Sequence, residues 1–326
     1  MRRIVWFILI SVLLGGAATA EAQQPKKIPR IGYLSANFLS AVRENVEGFQ
    51  QGLRELGYIE GKTIAIEYRF AEDKLDRLPD LAAELVRLKV DLIVTNSTPA
   101  AMAAKDATTT IPIVMAGGTD PVGTGVVASL AKPGGNITGV TIMNAELAGK
   151  RLELLKETSS KISRVAVLWS PANPGTALVF KQTKAASQEL RLQLQSLEVK
   201  SSSDLNSSFK FITGSGANAL VLLASAPIGS HLKQIAEFAI KNRLPSIYDR
   251  SFFPEAGGLM SYGTNIPDIN RRAAMYVDKI LKGANPANLP IEQPTKFEFI
   301  INLKTAKQIG LTIPQSVLFR ADRVIK

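Results

Sequence analysis

The sequence predicts an α/β protein with two lobes, each built on a parallel sheet flanked by helices. Three observations support this fold class. Apolar runs of strand length alternate with segments of helical period, which is typical of βαβ units. The alternation completes one series and restarts near residue 146, with little residue identity between the two series. The chain has 326 residues, a length that suits two lobes of roughly 100–200 residues each.

The first half opens with a strand predicted at residues 30–35. Val42, Val46, Phe49 and Leu53 follow it with the spacing of one helical face, so they predict the first helix. The remaining elements of this half are, in order, a strand at 63–68, a helix at 78–88, a strand at 91–95, a helix from residue 98, a strand at 111–115, a short helix at 125–130 and a strand at 136–140.

The second half repeats this order. An amphipathic helix at 146–157 precedes a strand at 164–169 that is as apolar as the first strand. The elements after it are, in order, a helix at 174–192, a strand at 192–199, a helix at 204–214, a strand at 219–223, a helix at 230–242, and strands at 245–248 and 258–262. Two halves of the same order indicate two lobes rather than a repeat array.

The chain re-enters helix and strand after both halves are complete. A helix at 266–281 is followed by a proline-rich segment at 286–294 and a strand at 296–302. We therefore expect the chain to pass back between the lobes, and several crossings would form a hinge. The expected lobes are residues 28–144 plus 263–288 for the N-terminal lobe, and residues 145–262 plus 289–326 for the C-terminal lobe.

The composition excludes several classes of chemistry. Hydrophobic residues make up 46% and charged residues 21% of the chain, an ordinary globular balance. The sequence contains no cysteine, which excludes disulfides, thiolate metal ligands and a cysteine nucleophile. His231 is the only histidine, so a histidine zinc site or a Ser-His-Asp relay would have to rest on it. We expect neither a metal nor a cofactor.

The net charge is +11, from 39 basic and 28 acidic residues. The basic residues are scattered along the chain rather than gathered in one block with interleaved aromatic residues. Nucleic acid is therefore a poor partner. We expect at most a weak contact with an anionic membrane surface, which high salt would weaken.

Residues 1–22 have the three-part layout of a secretory signal peptide. Arg2 and Arg3 precede an 11-residue apolar run at 4–14, and small residues follow. The run is shorter than the about 20 apolar residues that a membrane-spanning helix needs. We expect cleavage after Ala22 and export to the periplasm, and an uncleaved anchor helix is the alternative.

Open α/β sheets bind ligands outside the carboxyl ends of their parallel strands. The segments that follow the predicted strands are small, polar and rich in hydroxyl groups, and with free N–H groups at helix starts they can hold a carboxylate. The same residue types are common in turns and helix caps, which is the alternative interpretation. The candidate ligand-binding residues are Ser35, Asn37, Ser97, Thr98, Thr119, Asp120, Asn144, Asn173, Ser225, Tyr248, Asp249 and Tyr262.

The candidate residues also suggest finer roles. Asp120, Asp249 or Glu146 could receive an ammonium group. The aromatic residues that could flank a flat apolar group are Tyr248, Tyr262, Trp169 and Phe253. No spacing matches a P-loop, a dinucleotide-binding loop, a GxSxG elbow or a metal site. The sequence therefore predicts a binding protein without a catalytic site. A periplasmic enzyme that uses Asp120 or Asp249 as a base, and a ligand-sensing protein, are the alternatives.

Several segments together are similar to a known family. They are RELGY at 54–58, LPDLAAELV at 78–86, LAKPGGNITG at 130–139, GKRLELL at 149–155, EAGGLMSYG at 255–263 and LPIEQPTKF at 289–297. With these motifs, the sequence from about residue 29 to residue 326 resembles the ABC transporter substrate-binding proteins, among them the tryptophan/tyrosine-type uptake binding proteins.

The resemblance implies a type I periplasmic binding fold with two lobes, three crossings and a ligand cleft between the lobes. It also implies a small-molecule ligand that a monomeric protein delivers to an ABC permease in the inner membrane. An amino acid is the expected ligand and an aromatic one is favoured, while branched amino acids, aromatic acids and other small carboxylates stay open. The resemblance places Ser35, Ser97 and Thr98, Thr119 and Asp120, Asn173, and Tyr262 in the cleft lining.

Overall fold

A computed structural model of the chain describes residues 28–326. The predicted signal peptide at residues 1–22 lies outside the described residues. The strands are β1 Arg30–Ser35, β2 Ala65–Phe70, β3 Leu92–Thr95, β4 Ile113–Thr119, β5 Ile137–Ile142, β6 Arg164–Trp169, β7 Gln193–Glu198, β8 Ala219–Leu222, β9 Ser246–Tyr248, β10 Met260–Gly263, β11 Glu298–Asn302 and β12 Arg323–Ile325.

Helices alternate with these strands as the sequence predicts. The α-helices are α1 Arg43–Glu55, α2 Leu78–Arg87, α3 Thr98–Ala107, α4 Ala148–Glu157, α5 Pro174–Glu189, α6 Ser202–Ser215, α7 Ala226–Gly229, α8 Leu232–Lys241, α9 Phe252–Glu255, α10 Ile266–Leu281, α11 Leu303–Gln308 and α12 Gln315–Leu318. Short 3-10 helices lie at Leu39–Ala41, Leu75–Arg77 and Pro286–Asn288.

The strands form two sheets that share a topology. The first sheet has the order β2-β1-β3-β4-β5, and all of its pairings are parallel. The second sheet has the order β12-β11-β10-β9-β8-β6-β7, so β6 to β10 repeat the order of the first sheet. In the second sheet only β10 and β11 pair antiparallel. The predicted α/β fold with two parallel-sheet lobes flanked by helices is confirmed.

Helices cover both faces of each sheet. In the first lobe, α1 and α10 pack on one face and α2 and α3 on the other. In the second lobe, α4, α5 and α11 pack on one face and α6 and α8 on the other. A Cβ on Gly52 of α1 would lie 2.2 Å from the carbonyl oxygen of Arg271 in α10, so this helix pair approaches closely only because Gly52 has no side chain. No helix within residues 28–326 is long and apolar enough to span a membrane.

The chain passes between the two sheets three times: from β5 to α4, from β10 to α10, and from the segment after α10 to β11. Before the third passage, the backbone N of Ile291 donates to the carbonyl of Leu130, and Glu292 bridges to Val140. Residues 289–292 therefore run along the first sheet before the chain enters the second. The exact lobe boundaries stay a prediction.

The short helix predicted at residues 125–130 is wrong, because the structure has turns and bends there. Gly125 has a φ of 73°, which lies outside the helical region. The carboxylate of Asp120 accepts a hydrogen bond of 2.8 Å from the backbone N of Gly123, which closes a turn. An aspartate at the start of a tight turn is therefore the signal that outweighs the apolar spacing of this segment.

Candidate ligand-binding site

The carboxyl ends of the strands in both sheets border a cleft between the lobes. Segments after β1, β3 and β4 line it from the first lobe, and segments after β6, β8 and β9 line it from the second. This is the edge at which open parallel sheets bind ligands. The polar and charged residues that line this inner cleft are Asn37, Asn45, Asn96, Ser97, Thr98, Thr119, Ser170, Asn173, Ser225, Tyr248 and Arg250.

The start of α3 forms the first wall. Ser97 precedes the helix with an extended backbone, and its hydroxyl accepts a hydrogen bond from the backbone N of Ala100. Pro99 fits the first turn, where a helix needs no backbone donor. The hydroxyl of Thr98 accepts a hydrogen bond of 3.1 Å from the backbone N of Thr119, which ties α3 to the end of β4. Local hydrogen bonds therefore hold these hydroxyl groups at the cleft surface.

Asn96 adds an amide to the same wall. Its Nδ2 donates to the hydroxyl of Ser35 at 3.0 Å, whereas its Oδ1 is buried without a hydrogen-bond partner among the described residues. Ser35 is fully buried, so it positions Asn96 rather than lining the inner cleft. A buried acceptor without a partner costs free energy, and a donor group of a ligand would satisfy it.

The starts of α5 and α7 form the second wall. The side chain of Asn173 accepts a hydrogen bond of 3.0 Å from the backbone N of Gly175 and so caps α5. The hydroxyl of Thr176 donates to the carbonyl of Ala224 at 2.9 Å, which ties α5 to the segment before α7. The hydroxyl of Ser225 is buried and has no hydrogen-bond partner within the described chain. Ser225 can therefore offer its full hydrogen-bonding capacity to a ligand.

The two walls touch each other. A Cβ on Gly175 would lie 2.9 Å from the Cβ of Thr119 and 2.9 Å from the hydroxyl of Thr98. Nδ2 of Asn37 in the first lobe donates to the carbonyl of Ala226 in the second at 3.4 Å. The inner cleft therefore has a volume of only about 90 Å³, whereas small-molecule sites commonly hold about 300–1,000 Å³. The lobes must therefore separate before a small-molecule ligand can enter the inner cleft.

A wider outer cleft adjoins the inner one and has a volume of about 630 Å³. The segment before α1 and the start of α8 face each other across it. Asn45 and Phe252 line both parts, so the two spaces are continuous. The side chains that line only the outer cleft include Phe38, Ser40, Arg43, Glu44, His231 and Lys233.

Seven of the twelve predicted residues line the inner cleft, and five do not. Contact of these twelve residues with a ligand stays a prediction. The seven lining residues are Asn37, Ser97, Thr98, Thr119, Asn173, Ser225 and Tyr248. The five that lie outside the lining are Ser35, Asp120, Asn144, Asp249 and Tyr262.

Local structure explains two of these five positions. Asp120 has a φ of 39° in the turn after β4, and its carboxylate bonds the backbone N of Gly123. The ring of Tyr262 packs against Phe297 and Phe299, with ring centroids 6.4 Å and 6.1 Å apart. The side chains of Asp120 and Tyr262 are therefore used within their own lobes.

Asn144 and Asp249 join a buried polar cluster beside the cleft. Nδ2 of Asn144 donates to Oδ2 of Asp249. Arg151, which is 1% exposed, donates to the carbonyls of Asn144 and Tyr262, which lie next to the first and second passages between the lobes. Burial lowers the pKa of Arg151, and the negative charge of Asp249 opposes that effect. We call Asn144, Arg151 and Asp249 the hinge cluster.

Three cleft residues with distinct chemistry were not among the predicted ones. Asn96 and Arg250 follow β3 and β9, so their place at a strand end was a usable signal. After β9, the position at the strand end favours the neighbouring Asp249 as much as Arg250. Phe252 lies on α9, a helix of four residues that is too short to show a period in the sequence.

Two similar α/β lobes with a polar cleft between facing strand ends define a protein that holds a small ligand between its lobes. The model of one protein family, described as ABC transporter substrate binding protein, matches residues 38–325. The chain therefore belongs to this family and is the substrate-binding component of an ABC transporter. Since the family consists of binding proteins, the expectation that the chain is not an enzyme is confirmed.

Individual relatives agree with this assignment. The tyrosine-binding protein of Clostridioides difficile (strain R20291) is 27% identical over 265 residues, which are 81% of this chain and 76% of that protein. The structure of a conserved domain protein from Vibrio cholerae O1 biovar eltor strain N16961 has a TM-score of 0.87 and 27% identity, and it covers 91% of this chain and 100% of that chain. The structure of an ABC domain from Streptococcus pneumonia in complex with L-Trp has a TM-score of 0.85 and 29% identity, and it covers 91% of this chain and 99% of that chain.

Proposed function

We propose that this chain captures a small solute in the cleft between its lobes and delivers it to an ABC permease in the inner membrane. The proposed ligand is an amino acid, with an aromatic one favoured, or a related small carboxylate. The proposal includes export to the periplasm after cleavage behind Ala22, and action as a monomer.

The observation that carries the proposal is the division of the cleft lining between the lobes. Ser97 and Thr98 line it from the first lobe, and Asn173 and Ser225 line it from the second. A ligand between them contacts both lobes only when the lobes are close together. Its binding therefore favours the closed arrangement, because only differential affinity for two states shifts their equilibrium. The permease can then distinguish loaded from empty protein by the closed surface.

Aromatic and apolar side chains support the proposed ligand class. Tyr248 and Phe252 line the inner cleft, with ring centroids 6.3 Å apart in an edge arrangement. Pro227 and Ile266 add apolar surface to the lining. A flat ligand side chain can pack against such a surface. The relatives described as tyrosine-binding and as bound to L-Trp support the same class.

A thermal-shift screen of amino acids, small organic acids and sugars, each at about 1 mM, tests the proposal. A ligand at about 100 times its Kd adds about 2.7 kcal/mol to the free energy of unfolding. We expect at least one amino acid or small carboxylate to raise Tm by several degrees. The proposal is wrong if none does so, or if only polymers stabilise the protein.

A further inference from the structure

Among residues 28–326, Arg250 is the only one with a charged side chain that lines the inner cleft. Its side chain is 17% exposed, and its Nε lies 3.7 Å from Oδ1 of Asp249, which is too long for a direct hydrogen bond. The guanidinium also lies beside the hydroxyl of Tyr248. A largely buried cation therefore lies at the cleft wall without a hydrogen-bonded carboxylate partner in the described part of the chain.

The charge behind this wall is not balanced. The buried carboxylate of Asp249 interacts electrostatically with both Arg151 and Arg250. Two guanidinium groups therefore share one buried negative charge. Glu146 also raises the pKa of Arg151, but Glu146 is exposed to solvent and contributes the least of the neighbouring groups. Buried charges cost free energy unless they are paired. The site therefore has an excess positive charge that an anionic group in the inner cleft would compensate.

No carboxylate among the described residues lines the inner cleft to receive an ammonium group. Asp249 accepts from Asn144 in the hinge cluster, and Asp120 closes its own turn. The outer cleft contains Glu44, but that side chain is exposed and shares the space with Arg43 and Lys233. The inner cleft therefore offers a ligand a cationic side chain but no carboxylate.

We propose that Arg250 receives the carboxylate of the ligand, and that the cleft prefers a carboxylate without an ammonium group over the corresponding zwitterionic amino acid. This inference rests on the proposed function and narrows its ligand class. Arginine suits the role because its planar guanidinium can donate two parallel hydrogen bonds to a carboxylate. The unpaired acceptor of Asn96 and the hydroxyl of Ser225 would then bind polar groups elsewhere on the ligand.

Isothermal titration calorimetry with matched probes tests the inference. The aromatic set is 3-(4-hydroxyphenyl)propanoate, L-tyrosine and tyramine, which differ in their carboxylate and ammonium groups. The aliphatic pair is 4-methylpentanoate and L-leucine. We expect the acid of at least one set to bind about tenfold or more tightly than its amino acid, since an ammonium group in this cleft loses its water without gaining an anionic partner. We expect no binding of tyramine.

Variants at Arg250 test its role with the acid that binds the wild-type protein. We expect Arg250→Gln to weaken binding by about tenfold or more, and Arg250→Lys to recover part of the loss, since lysine keeps the charge but not the paired hydrogen bonds. Lys210→Gln removes an exposed charge from α6 and is the matched control, with unchanged affinity. Thermal unfolding without ligand checks that each variant is folded.

Each contrary result has a separate meaning. If L-tyrosine or L-leucine binds as tightly as its acid, the inference is wrong and the proposed function stands. If Arg250→Gln is folded and binds the acid as the wild-type protein does, the role of Arg250 is wrong. If no member of either set binds, the inference is wrong, and if in addition only a sugar raises Tm in the thermal screen, the proposed ligand class is wrong as well.

Discussion

Arg151 shows how one buried side chain can join two passages of the chain between the lobes. Its guanidinium donates to the carbonyls of Asn144 and Tyr262, which lie next to the first and second passages of the chain between the sheets. Asp249 supplies the nearby negative charge and is itself bonded by Asn144. The hinge cluster therefore joins these two passages by hydrogen bonds, whereas the segment before the third passage bridges to β5 through Glu292.

We expect Arg151→Met to lower the free energy of unfolding by about 2–4 kcal/mol, because it leaves the carbonyls of Asn144 and Tyr262 without their donor, and each buried group left unsatisfied costs about 1–3 kcal/mol. Urea denaturation measures the loss. Lys150→Met, at the neighbouring position, is the control: Lys150 forms a partly exposed pair of 2.8 Å with Glu153, and such pairs contribute at most about 1 kcal/mol. Equal losses for the two variants would contradict the role given to Arg151.

Single residues also show what a sequence can predict about a site. The order of strands predicted the positions of Thr98 and Asn173, which line the inner cleft, because the residue after a parallel strand lies at the carboxyl edge of the sheet. The direction of a side chain at that edge depends on the backbone of the turn. Asp120 therefore points into its own turn, and of the adjacent pair Asp249 and Arg250 it is the arginine that lines the cleft.

Whole elements were easiest to predict where the apolar pattern is long or continuous. The strands at Arg30–Ser35 and Arg164–Trp169 and the helix at Ile266–Leu281 have the predicted bounds. β4 continues to Thr119, beyond its predicted end at residue 115, although it contains Gly117 and Gly118. Glycine pairs favour turns, but here pairing with β5 resumes beyond them after a register shift. α7, α9, α11, α12 and β12 are three to six residues long, so no period could reveal them.

The start of α5 provides a test of contact between the lobes. We expect Gly175→Ala to weaken ligand binding by about tenfold, because the added Cβ would lie 2.9 Å from Thr119 and 2.9 Å from Thr98 in the opposite lobe. The folding of each lobe should be unaffected, since the clash arises only when the lobes meet. Calorimetry with the solute found in the thermal screen measures the affinity.

Gly214→Ala is the matched control, because Gly214 lies in α6 and a Cβ there would meet no heavy atom within 4 Å. We expect this variant to bind ligand normally and to gain up to about 1 kcal/mol in the free energy of unfolding, as alanine does over glycine inside a helix. Unchanged ligand affinity for Gly175→Ala would mean that the lobes do not approach each other at this point when ligand is bound.

At the scale of the whole molecule, the two halves of the sequence became two sheets with one topology. The sequence alone predicted both halves and the return of the chain between them. It could not predict how closely the lobes meet, because that distance depends on contacts between segments far apart in sequence, such as Gly175 with Thr119 and Asn37 with Ala226. The net charge of +11 also did not indicate where the basic side chains lie in the fold. The structure places Arg43, Lys233 and Arg250 around the cleft.

The most direct test of the account is the distance between the lobes with and without ligand. The sequence has no cysteine, so Ser40→Cys and Gln234→Cys would be the only attachment points for spin labels. Ser40 lines the outer cleft from the first lobe, and Gln234 follows Lys233, which lines it from the second. Pulsed electron paramagnetic resonance then measures the label separation before and after addition of the solute that raises Tm.

We expect the ligand-free protein to show a broad distribution of label distances that includes an open arrangement. Saturating ligand should reduce it to one narrow, shorter distance, because the ligand contacts both lobes only when they are closed. A solute that raises Tm by several degrees while the distribution stays unchanged would contradict binding between the lobes.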